Sequence, residues 1–145
     1  DPQGAVFIIF KPESGDAATS PAPTTPGVVG WNELHATDGL KAFDWYRNMF
    51  GWTPSQDMDM GPMGIYRIFA TGGEPAGGMM TKMPDMPTAF WAYYFNVTSI
   101  NDAVQRTISA GGEVVNGPHE VPGPMFIANC RDPQGAWFSM VAPKR

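Results

Sequence analysis

Cysteine is almost absent from this sequence: Cys130 is the single one among 145 residues. One cysteine excludes an intrachain disulfide, so the fold must be held together by its core. A reducing cytosol is the default compartment for such a chain, and we predict a cytoplasmic protein. We interpret Cys130 itself as a small buried hydrophobe, because most lone cysteines in strands are inert.

Positive charge is also scarce, with nine Lys and Arg residues against fourteen Asp and Glu and a net charge of −5. Nucleic-acid binding needs clustered Lys and Arg, whereas these nine are scattered along the chain, which argues against a nucleic-acid partner. No segment approaches the roughly twenty consecutive apolar residues of a membrane span, so we predict no membrane partner either. An acidic chain of this kind favours a small-molecule partner.

The start of the chain lacks the features of a secretory signal, namely a basic start and an apolar core followed by small residues. It begins with Asp1 rather than methionine. We therefore expect the chain to be a fragment of a longer protein or a processed product.

A repeat joins the two ends of the sequence. Residues 1–12 are DPQGAVFIIFKP, and residues 132–143 are DPQGAWFSMVAP. In both copies a Pro/Gly turn opens an apolar run typical of a strand, and a proline ends that run. We predict that residues 1–12 are the last strand of a preceding domain copy. Residues 13–27 are rich in Ser, Ala, Thr, Pro and Gly, which is linker composition, and residues 28–145 then form one domain.

A second repeat lies inside that domain, between modules at residues 28–83 and 88–145. Each module opens with a strand pattern, at residues 30–37 and 90–98. Asp38 and Ser99 then stand where helix N-caps belong, and glycines end the helical apolar spacing at Gly51 and at Gly111. The same order of elements occurs twice.

Three short strands follow each helix. Their predicted bounds in the first module are 53–60, 64–71 and 77–83, and in the second module 113–121, 125–130 and 136–141. The fold class is therefore α+β, with two tandem βαβββ modules.

This arrangement resembles the vicinal oxygen chelate superfamily, which includes glyoxalase I, extradiol dioxygenases, and fosfomycin and bleomycin resistance proteins. The resemblance covers residues 28–142 and rests on the two modules, on FDWY at 43–46 leading to FGW at 50–52, and on DPQG at 132–135. WNEL at 31–34 and TD at 37–38 look most like the two-domain glyoxalase-like antigens of mycobacteria and actinobacteria. The resemblance implies that the two modules form a curved mixed sheet around a cavity.

Metal enzymes of that superfamily place one ligand on the first strand and one on the last strand of each module, and the metal acts as a Lewis acid. The resemblance puts these positions at Trp31 and at Gly78 or Met79 in the first module, and at Ala92 and Ser139 in the second. None of these residues completes a metal site, so we predict no cofactor. A shift of register by two would bring Glu33 to a ligand position, and the alternative is then a divalent metal such as Fe, Zn, Ni or Mn.

Strand alternation places Trp31, Glu33 and His35 on one face. Buried together, Glu33 and His35 are the best acid/base or hydrogen-bonding pair in the chain, and we name them as candidate catalytic residues. Tyr66 could point its phenol into the same space. In the plain alternative, Glu33 is a structural carboxylate, His35 is a strand-end residue and Tyr66 belongs to the core.

In the second module, alternation puts Ala92, Tyr94 and Asn96 on one face. We predict that Tyr94 and Asn96 orient a ligand and that the small Ala92 leaves it room. The full set of predicted ligand-binding residues is Trp31, Tyr66, Met79, Ala92, Tyr94, Asn96 and Ser139. The alternative is that this strand is a well-packed sheet centre.

Two functions remain open. The first is a superfamily protein that binds a small, partly apolar molecule in its cavity without the family's metal. The second is a glyoxalase-like lyase or dioxygenase, dependent either on metal or on Glu33 as a base. The unpaired first strand further predicts a homodimer, or pairing with a second copy of the domain.

Overall fold

The computed structural model describes residues 1–11 and 21–145. In chain order its elements are β1 (Val29–Ala36), α1 (Gly39–Phe50), β2 (Thr53–Asp59), a 3₁₀ turn (Gly61–Met63), β3 (Ile65–Ala70), β4 (Pro75–Thr81), β5 (Phe90–Asn96), α2 (Ile100–Ser109), β6 (Glu113–Val121), β7 (Met125–Arg131) and β8 (Trp137–Ala142). The predicted βαβββ order is thus confirmed in both modules, and the fold is α+β.

The described residues divide into two compact units, whose boundaries fall inside β1 and β5. Unit 1 holds residues 1–11 and 31–91, and unit 2 holds residues 21–30 and 92–145. The strand order is β2-β3-β4-β1 in unit 1 and β5-β8-β7-β6 in unit 2. In each unit the first and last strands of the module pair in parallel, β1 with β4 and β5 with β8, and the remaining pairs are antiparallel.

Both helices begin at the predicted N-caps. The Asp38 carboxylate accepts a hydrogen bond from the backbone N–H of Lys41, and the Ser99 hydroxyl accepts one from that of Asp102. These contacts satisfy backbone donors that the first turn of a helix leaves unpaired. Helix α1 ends at Gly51, whose φ of 71° is a left-handed conformation that glycine adopts without strain.

The core of unit 1 is aromatic. Phe43, Tyr46 and Phe69 are almost fully buried, each 1% exposed, between α1 and its sheet. Trp52 stacks on Tyr46 and on Phe69 with ring centroids 5.1 and 4.6 Å apart, and Trp91 meets Tyr46 edge-on. Such rings bury large apolar areas and add favourable edge and stacking geometry.

The core of unit 2 is built from smaller side chains. Helix α2 packs Ile100, Ala103 and Val104 against the sheet residues Ala128, Cys130, Met140 and Ala142. Cys130 is fully buried, and burial raises the pKa of its thiol above the ordinary value. A buried neutral thiol is unreactive, in agreement with the interpretation from sequence.

The terminal repeat is visible as a repeated turn. The Asp1 carboxylate oxygen Oδ1 accepts from the backbone N–H groups of Gln3 and Ala5, both at 2.9 Å. Asp132 Oδ1 accepts in the same way from Gln134 and Ala136, at 2.9 and 2.8 Å. The two copies then diverge, because residues 137–142 are a strand whereas the described residues 1–11 contain none. The strand predicted at residues 1–12 is therefore not formed within this chain, and Pro12 lies outside the described residues.

The predicted linker falls only partly within the described residues. Positions 13–20 lie outside them, and residues 22–28 form two successive turns, closed by the backbone hydrogen bonds of Thr25 N–H to the Ala22 carbonyl and of Val28 N–H to the Thr25 carbonyl. Within the described residues, neither α1 nor α2 is long and apolar enough to cross a membrane.

Candidate functional site

The predicted Trp31, Glu33 and His35 lie on one face of β1, as alternation requires. Leu34 and Ala36, at the intervening positions, are fully buried in the core with α1. Glu33 and His35 therefore point to the opposite side of the strand from the helix. Their side chains are nonetheless only 12% and 11% exposed.

A chain of hydrogen bonds joins these residues to Tyr66 on β3. The indole Nε1–H of Trp31 donates to Tyr66 Oη at 2.8 Å, and the Tyr66 hydroxyl donates to Glu33 Oε2 at 2.9 Å. The other carboxylate oxygen, Glu33 Oε1, lies 2.8 Å from His35 Nε2. The structure thus brings together four predicted site residues, and we call Trp31, Glu33, His35 and Tyr66 the unit 1 polar cluster.

Glycine at position 78 makes room for this cluster. Gly78 on β4 is the register partner of Glu33. A Cβ added at Gly78 would overlap the Tyr66 ring and its hydroxyl oxygen. The phenol of Tyr66 therefore lies directly over Gly78, one of the two last-strand positions, Gly78 or Met79, at which the family resemblance places a metal ligand.

His35 is held from two sides. Its ring stacks on Phe90 with centroids 4.9 Å apart and planes 13° from parallel, while Nε2 faces Glu33. An imidazole fixed in this way keeps a constant orientation toward the carboxylate. His35 thus positions Glu33, in addition to any contact with a ligand.

The predicted role of Met79 requires correction. Met79 is the register partner of Leu34, is fully buried, and belongs to the core on the α1 side of the sheet. Neighbouring residues of a strand point to opposite faces, so Gly78 shares the face of Glu33 and Met79 does not. Met79 is a core residue and not part of the polar face.

Unit 2 carries a different polar group on the face of its sheet away from α2. Tyr94 and Ser139, both predicted site residues, are register partners. Asn129 on β7 donates through Nδ2 to Ser139 Oγ at 2.9 Å and to Tyr94 Oη at 3.3 Å, and its Oδ1 accepts from Asn116 at 3.1 Å. We call Tyr94, Asn116, Asn129 and Ser139 the unit 2 polar cluster; it carries no formal charge.

Sequence reasoning missed Asn116 and Asn129. A usable signal did exist, because Asn129 is a polar residue between the buried apolar Ala128 and Cys130. Buried amides need partners, which makes such a residue a candidate for a network. Ala92, the remaining predicted residue on β5, is 2% exposed and adds no polar group.

Asn96 does not serve as predicted. Its Nδ2 donates to the backbone carbonyls of Pro23 and Val28, at 2.5 and 2.9 Å. Its amide also fills the space beside Gly30, where an added Cβ would meet Asn96 Oδ1 at 2.5 Å. Asn96 therefore fastens the chain before β1 to the end of β5, which is a structural role.

The residues at the family's metal positions do not fit a divalent ion. Trp31, Gly78 and Ala92 have no ligating side-chain atom, and Ser139 already takes part in the unit 2 polar cluster. Across residues 1–11 and 21–145, no three His, Cys, Asp or Glu side chains lie close enough together to hold a metal. A protein metal site needs several such ligands, and the described residues do not supply them at these positions.

An open groove of about 380 Å³ lies elsewhere in unit 2, between the second half of α2 and β8. Its lining includes Ala103, Arg106, Thr107, Phe138 and Met140. None of the predicted site residues lines this groove, so it is separate from both polar clusters.

Comparisons with known proteins agree with this fold. Residues 29–140 match the family model of the Glyoxalase/Bleomycin resistance protein/Dioxygenase superfamily. CFP32 of Mycobacterium tuberculosis (strain CDC 1551 / Oshkosh), provisionally named a glyoxylase, is 32% identical over 144 residues, covering 99% of this chain and 54% of its own length. The anthracycline biosynthesis protein DnrV of Streptomyces peucetius is 30% identical over 129 residues, covering 79% of this chain and 46% of its own length. This chain spans about half the length of these relatives.

Solved structures of the same fold include methylmalonyl-CoA epimerase from Mycobacterium tuberculosis. It superposes with a TM-score of 0.61 at 16% identity, covering 79% of this chain and 87% of that one. Identity this low establishes the fold alone. From its two βαβββ modules and the match over residues 29–140, this chain belongs to the Glyoxalase/Bleomycin resistance protein/Dioxygenase superfamily.

Proposed function

We propose that this protein binds a small, partly apolar molecule against the unit 1 polar cluster, without the divalent metal of its metal-dependent relatives. One observation carries the proposal: Tyr66 lies over Gly78, and its hydroxyl joins Trp31 to Glu33. The family resemblance assigns the metal-ligand positions of this module to Trp31 and to Gly78 or Met79, and of the last two only Gly78 shares the face of Glu33. In this chain a hydrogen-bonded phenol and carboxylate stand there instead.

The cluster is organised before any ligand arrives. Glu33 Oε2 accepts a hydrogen bond from the Tyr66 hydroxyl, and Glu33 Oε1 lies 2.8 Å from His35 Nε2. Bonds to a carboxylate are stronger than neutral ones and hold its plane in a fixed orientation. A ligand hydroxyl or amine would donate a hydrogen bond to this carboxylate, which is an acceptor only.

The side chains of the unit 1 polar cluster indicate which class of ligand would bind there. The indole of Trp31 and the phenol of Tyr66 offer flat apolar surfaces beside one carboxylate, which suits an aromatic compound that bears hydroxyl groups. DnrV, a relative at 30% identity, is named for anthracycline biosynthesis. A hydroxylated aromatic compound is therefore our choice of probe.

We place the protein in the cytosol, since its single cysteine is a buried free thiol.

The test is titration with 1,4-dihydroxyanthraquinone, followed through the indole N–H resonances of the five tryptophans. We expect the Trp31 resonance to shift most. Tyr66→Phe removes the link between Trp31 and Glu33, and Glu33→Gln removes the charge, so each should weaken binding at least about tenfold, equivalent to about 1.4 kcal/mol.

Tyr93→Phe is the matched control, because it deletes the same hydroxyl from a side chain that is 44% exposed and lies outside both clusters. Its affinity should equal that of the unmodified protein. Binding that shifts only resonances of unit 2, or that is indifferent to Tyr66→Phe and Glu33→Gln, would contradict the proposal.

The alternative is a lyase or dioxygenase of the same superfamily that uses Glu33 as a base or a metal ligand. The burial of Glu33 beside His35 favours keeping this alternative. Metal analysis of protein purified without chelators separates the metal-dependent form of this alternative from the metal-free proposal. Stoichiometric Fe, Zn, Ni or Mn that disappears in Glu33→Ala would replace the metal-free proposal with the enzymatic one.

A further inference from the structure

The internal repeat explains why unit 2 has a groove between α2 and β8. Counted from the N-caps Asp38 and Ser99, Tyr46 in α1 and Thr107 in α2 occupy the same position. Tyr46 is a core ring that is 1% exposed, whereas the short side chain of Thr107 lines the groove. A large buried ring of unit 1 thus corresponds to a small side chain at the groove of unit 2.

Two further aromatic residues of unit 1 are replaced in the same way. Trp52 is the residue directly before β2, and Gly112 is the residue directly before β6. Phe69 corresponds to Cys130, since each pairs with the second residue of the strand that follows its helix. In unit 1 the Trp52 ring stacks on Tyr46 and on Phe69, with centroids 5.1 and 4.6 Å apart. At all three positions of this stack, unit 2 has a smaller side chain.

One ring is gained in exchange. Phe138 on β8 is the register partner of Cys130, and Gly77 on β4 is the register partner of Phe69. Phe138 therefore stands in unit 2 where unit 1 has a glycine, and its ring packs against the unit 2 core and lines the groove. Three rings are replaced by one, so the helix and the sheet of unit 2 are left with space between them for an aromatic ring.

The groove combines apolar walls with a cation. Ala103 and Met140 are buried core residues, and Phe138 supplies an aromatic wall. Arg106 also lines the groove and is exposed, and none of the ion pairs among the described residues includes it. A guanidinium binds a carboxylate through two parallel hydrogen bonds. The lining therefore suits an aromatic ring that bears a carboxylate.

Asp132 is the other charged residue of the lining, and it has a structural role. Its Oδ1 accepts from the backbone N–H groups of Gln134 and Ala136 and so fixes the turn before β8. Asp1 makes the same two contacts in the other copy of this turn, at a place that is not part of the groove. Arg106 is therefore the charged group that can serve a ligand.

We propose that the groove of unit 2 binds a planar aromatic compound of one or two rings that carries a carboxylate. The rings lie against Phe138 and Met140, and the carboxylate pairs with Arg106. The groove volume of about 380 Å³ is near the lower end of the range for small-molecule sites, roughly 300–1,000 Å³. This site is separate from the unit 1 polar cluster and does not depend on the function proposed for that cluster.

The test is titration with indole-3-acetate, followed through the methyl resonances of the ten methionines. Indole and tryptamine provide the same ring system without charge and with a positive charge. We expect the Met140 resonance to shift most, because Met140 lines the groove. Indole-3-acetate should bind at least about tenfold more tightly than indole, since its carboxylate can pair with Arg106.

Two kinds of variant separate the ring from the carboxylate. Arg106→Gln should weaken binding of indole-3-acetate at least about tenfold and leave that of indole unchanged. Thr107→Tyr restores the ring that unit 1 has at this position and should weaken both compounds at least about tenfold. Gly112 is less suitable for filling the groove, because an added Cβ would lie 2.9 Å from the Arg131 carbonyl oxygen. Ala110→Trp, at an exposed lining residue, fills the groove from its rim if Thr107→Tyr does not fold.

Arg47→Gln is the matched control. The backbone carbonyls of Arg47 and Arg106 both accept the N–H of the C-cap of their helices, so the two side chains leave α1 and α2 at equivalent positions. Arg47→Gln should not change the affinity for any of the three compounds, and neither should Tyr66→Phe in the unit 1 polar cluster.

Three results would overturn the proposal. The unmodified chain could fail to bind indole-3-acetate, or its affinity could be the same in Arg106→Gln and in the folded groove-filling variants. Tryptamine could also bind more tightly than indole-3-acetate, which would make Asp132 the recognising group in place of Arg106.

Discussion

The two units share one order of elements but differ in what they bury on each face of the sheet. Helix α1 packs against tryptophan, tyrosine and phenylalanine rings, whereas α2 packs against alanine, valine, cysteine and methionine. On the face away from the helix, the unit 1 polar cluster contains a carboxylate and an imidazole, whereas the unit 2 polar cluster contains only neutral amides and hydroxyls. The same backbone plan thus supports a charged site and a neutral one.

The difference indicates that the fold depends on the pattern of buried positions more than on particular side chains. Phe43 and Val104 occupy the same place after their N-caps, and both are buried despite a large difference in volume. Cores accept such changes when neighbouring side chains differ as well, and the core of unit 1 also has the large Trp52 and Trp91 packed against it. The polar face is free to vary because it contributes less to this packing.

The largest expected loss of stability comes from shortening the core side chains at these two matched positions. Phe43→Ala should cost about 3–5 kcal/mol of unfolding free energy, through a large cavity. It also removes the ring over which the Arg67 guanidinium lies, 5.0 Å from the centroid. Val104→Ala should cost about 2 kcal/mol, since it removes two buried methyl groups. Urea unfolding followed by circular dichroism measures both, and equal losses would show that the two cores do not differ in the way described.

A smaller loss of stability is expected at Gly78, the glycine that makes room for Tyr66 in the unit 1 polar cluster. Gly78→Ala places a methyl group against the Tyr66 ring and should cost about 1–3 kcal/mol, as overpacked sites do. It should also shift the Trp31 indole N–H resonance, because Tyr66 Oη is its acceptor. Gly73→Ala is the matched control, with open space around its Cβ position. An unchanged Trp31 resonance in Gly78→Ala would mean that Tyr66 does not depend on this glycine.

Much of the fold was predictable because its signals are local. The N-caps Asp38 and Ser99 and the stop at Gly51 act within one turn, so the sequence around them is sufficient. The pairing of Glu33 with His35 followed from alternation along one strand. These features need no knowledge of which strand lies beside which.

The remaining site features depend on cross-strand register, which bulges alter. Register shifts occur in β2 between Pro54 and Gln56, and in β6 on both sides of Asn116. The contacts of Asn129 with Ser139 and of Tyr66 with Gly78 join residues of different strands. A shift of one residue exchanges the two faces of a strand, which is how Gly78 and Met79 remained alternatives until the register was known.

The smallest expected loss of stability comes from removing the N-cap side chains of the two helices, Asp38 and Ser99. At neutral pH, Asp38→Ala and Ser99→Ala should each cost about 1 kcal/mol, because each leaves a first-turn backbone N–H without its acceptor. Only Asp38 titrates. The backbone N–H of Lys41, together with the Lys41 ammonium 3.1 Å away, lowers the pKa of the Asp38 carboxyl below its ordinary value of 3.8.

Because the pKa of Asp38 is lower in the folded state than in the unfolded state, the ionised carboxylate stabilises the folded protein. This stabilisation is fully present above pH 3.8, and it is lost as the pH falls through the pKa of the folded state. The cost of Asp38→Ala should therefore shrink between about pH 6 and pH 3, whereas that of Ser99→Ala should stay constant over the same interval. Asp38→Asn keeps a capping acceptor without a titrating group, so its stability difference from Asp38→Ala should not change with pH. Urea unfolding at the two pH values measures all three. A cost of Asp38→Ala that is the same at both would show that the carboxylate charge contributes nothing to this cap, and the two helices would then begin in energetically equivalent ways.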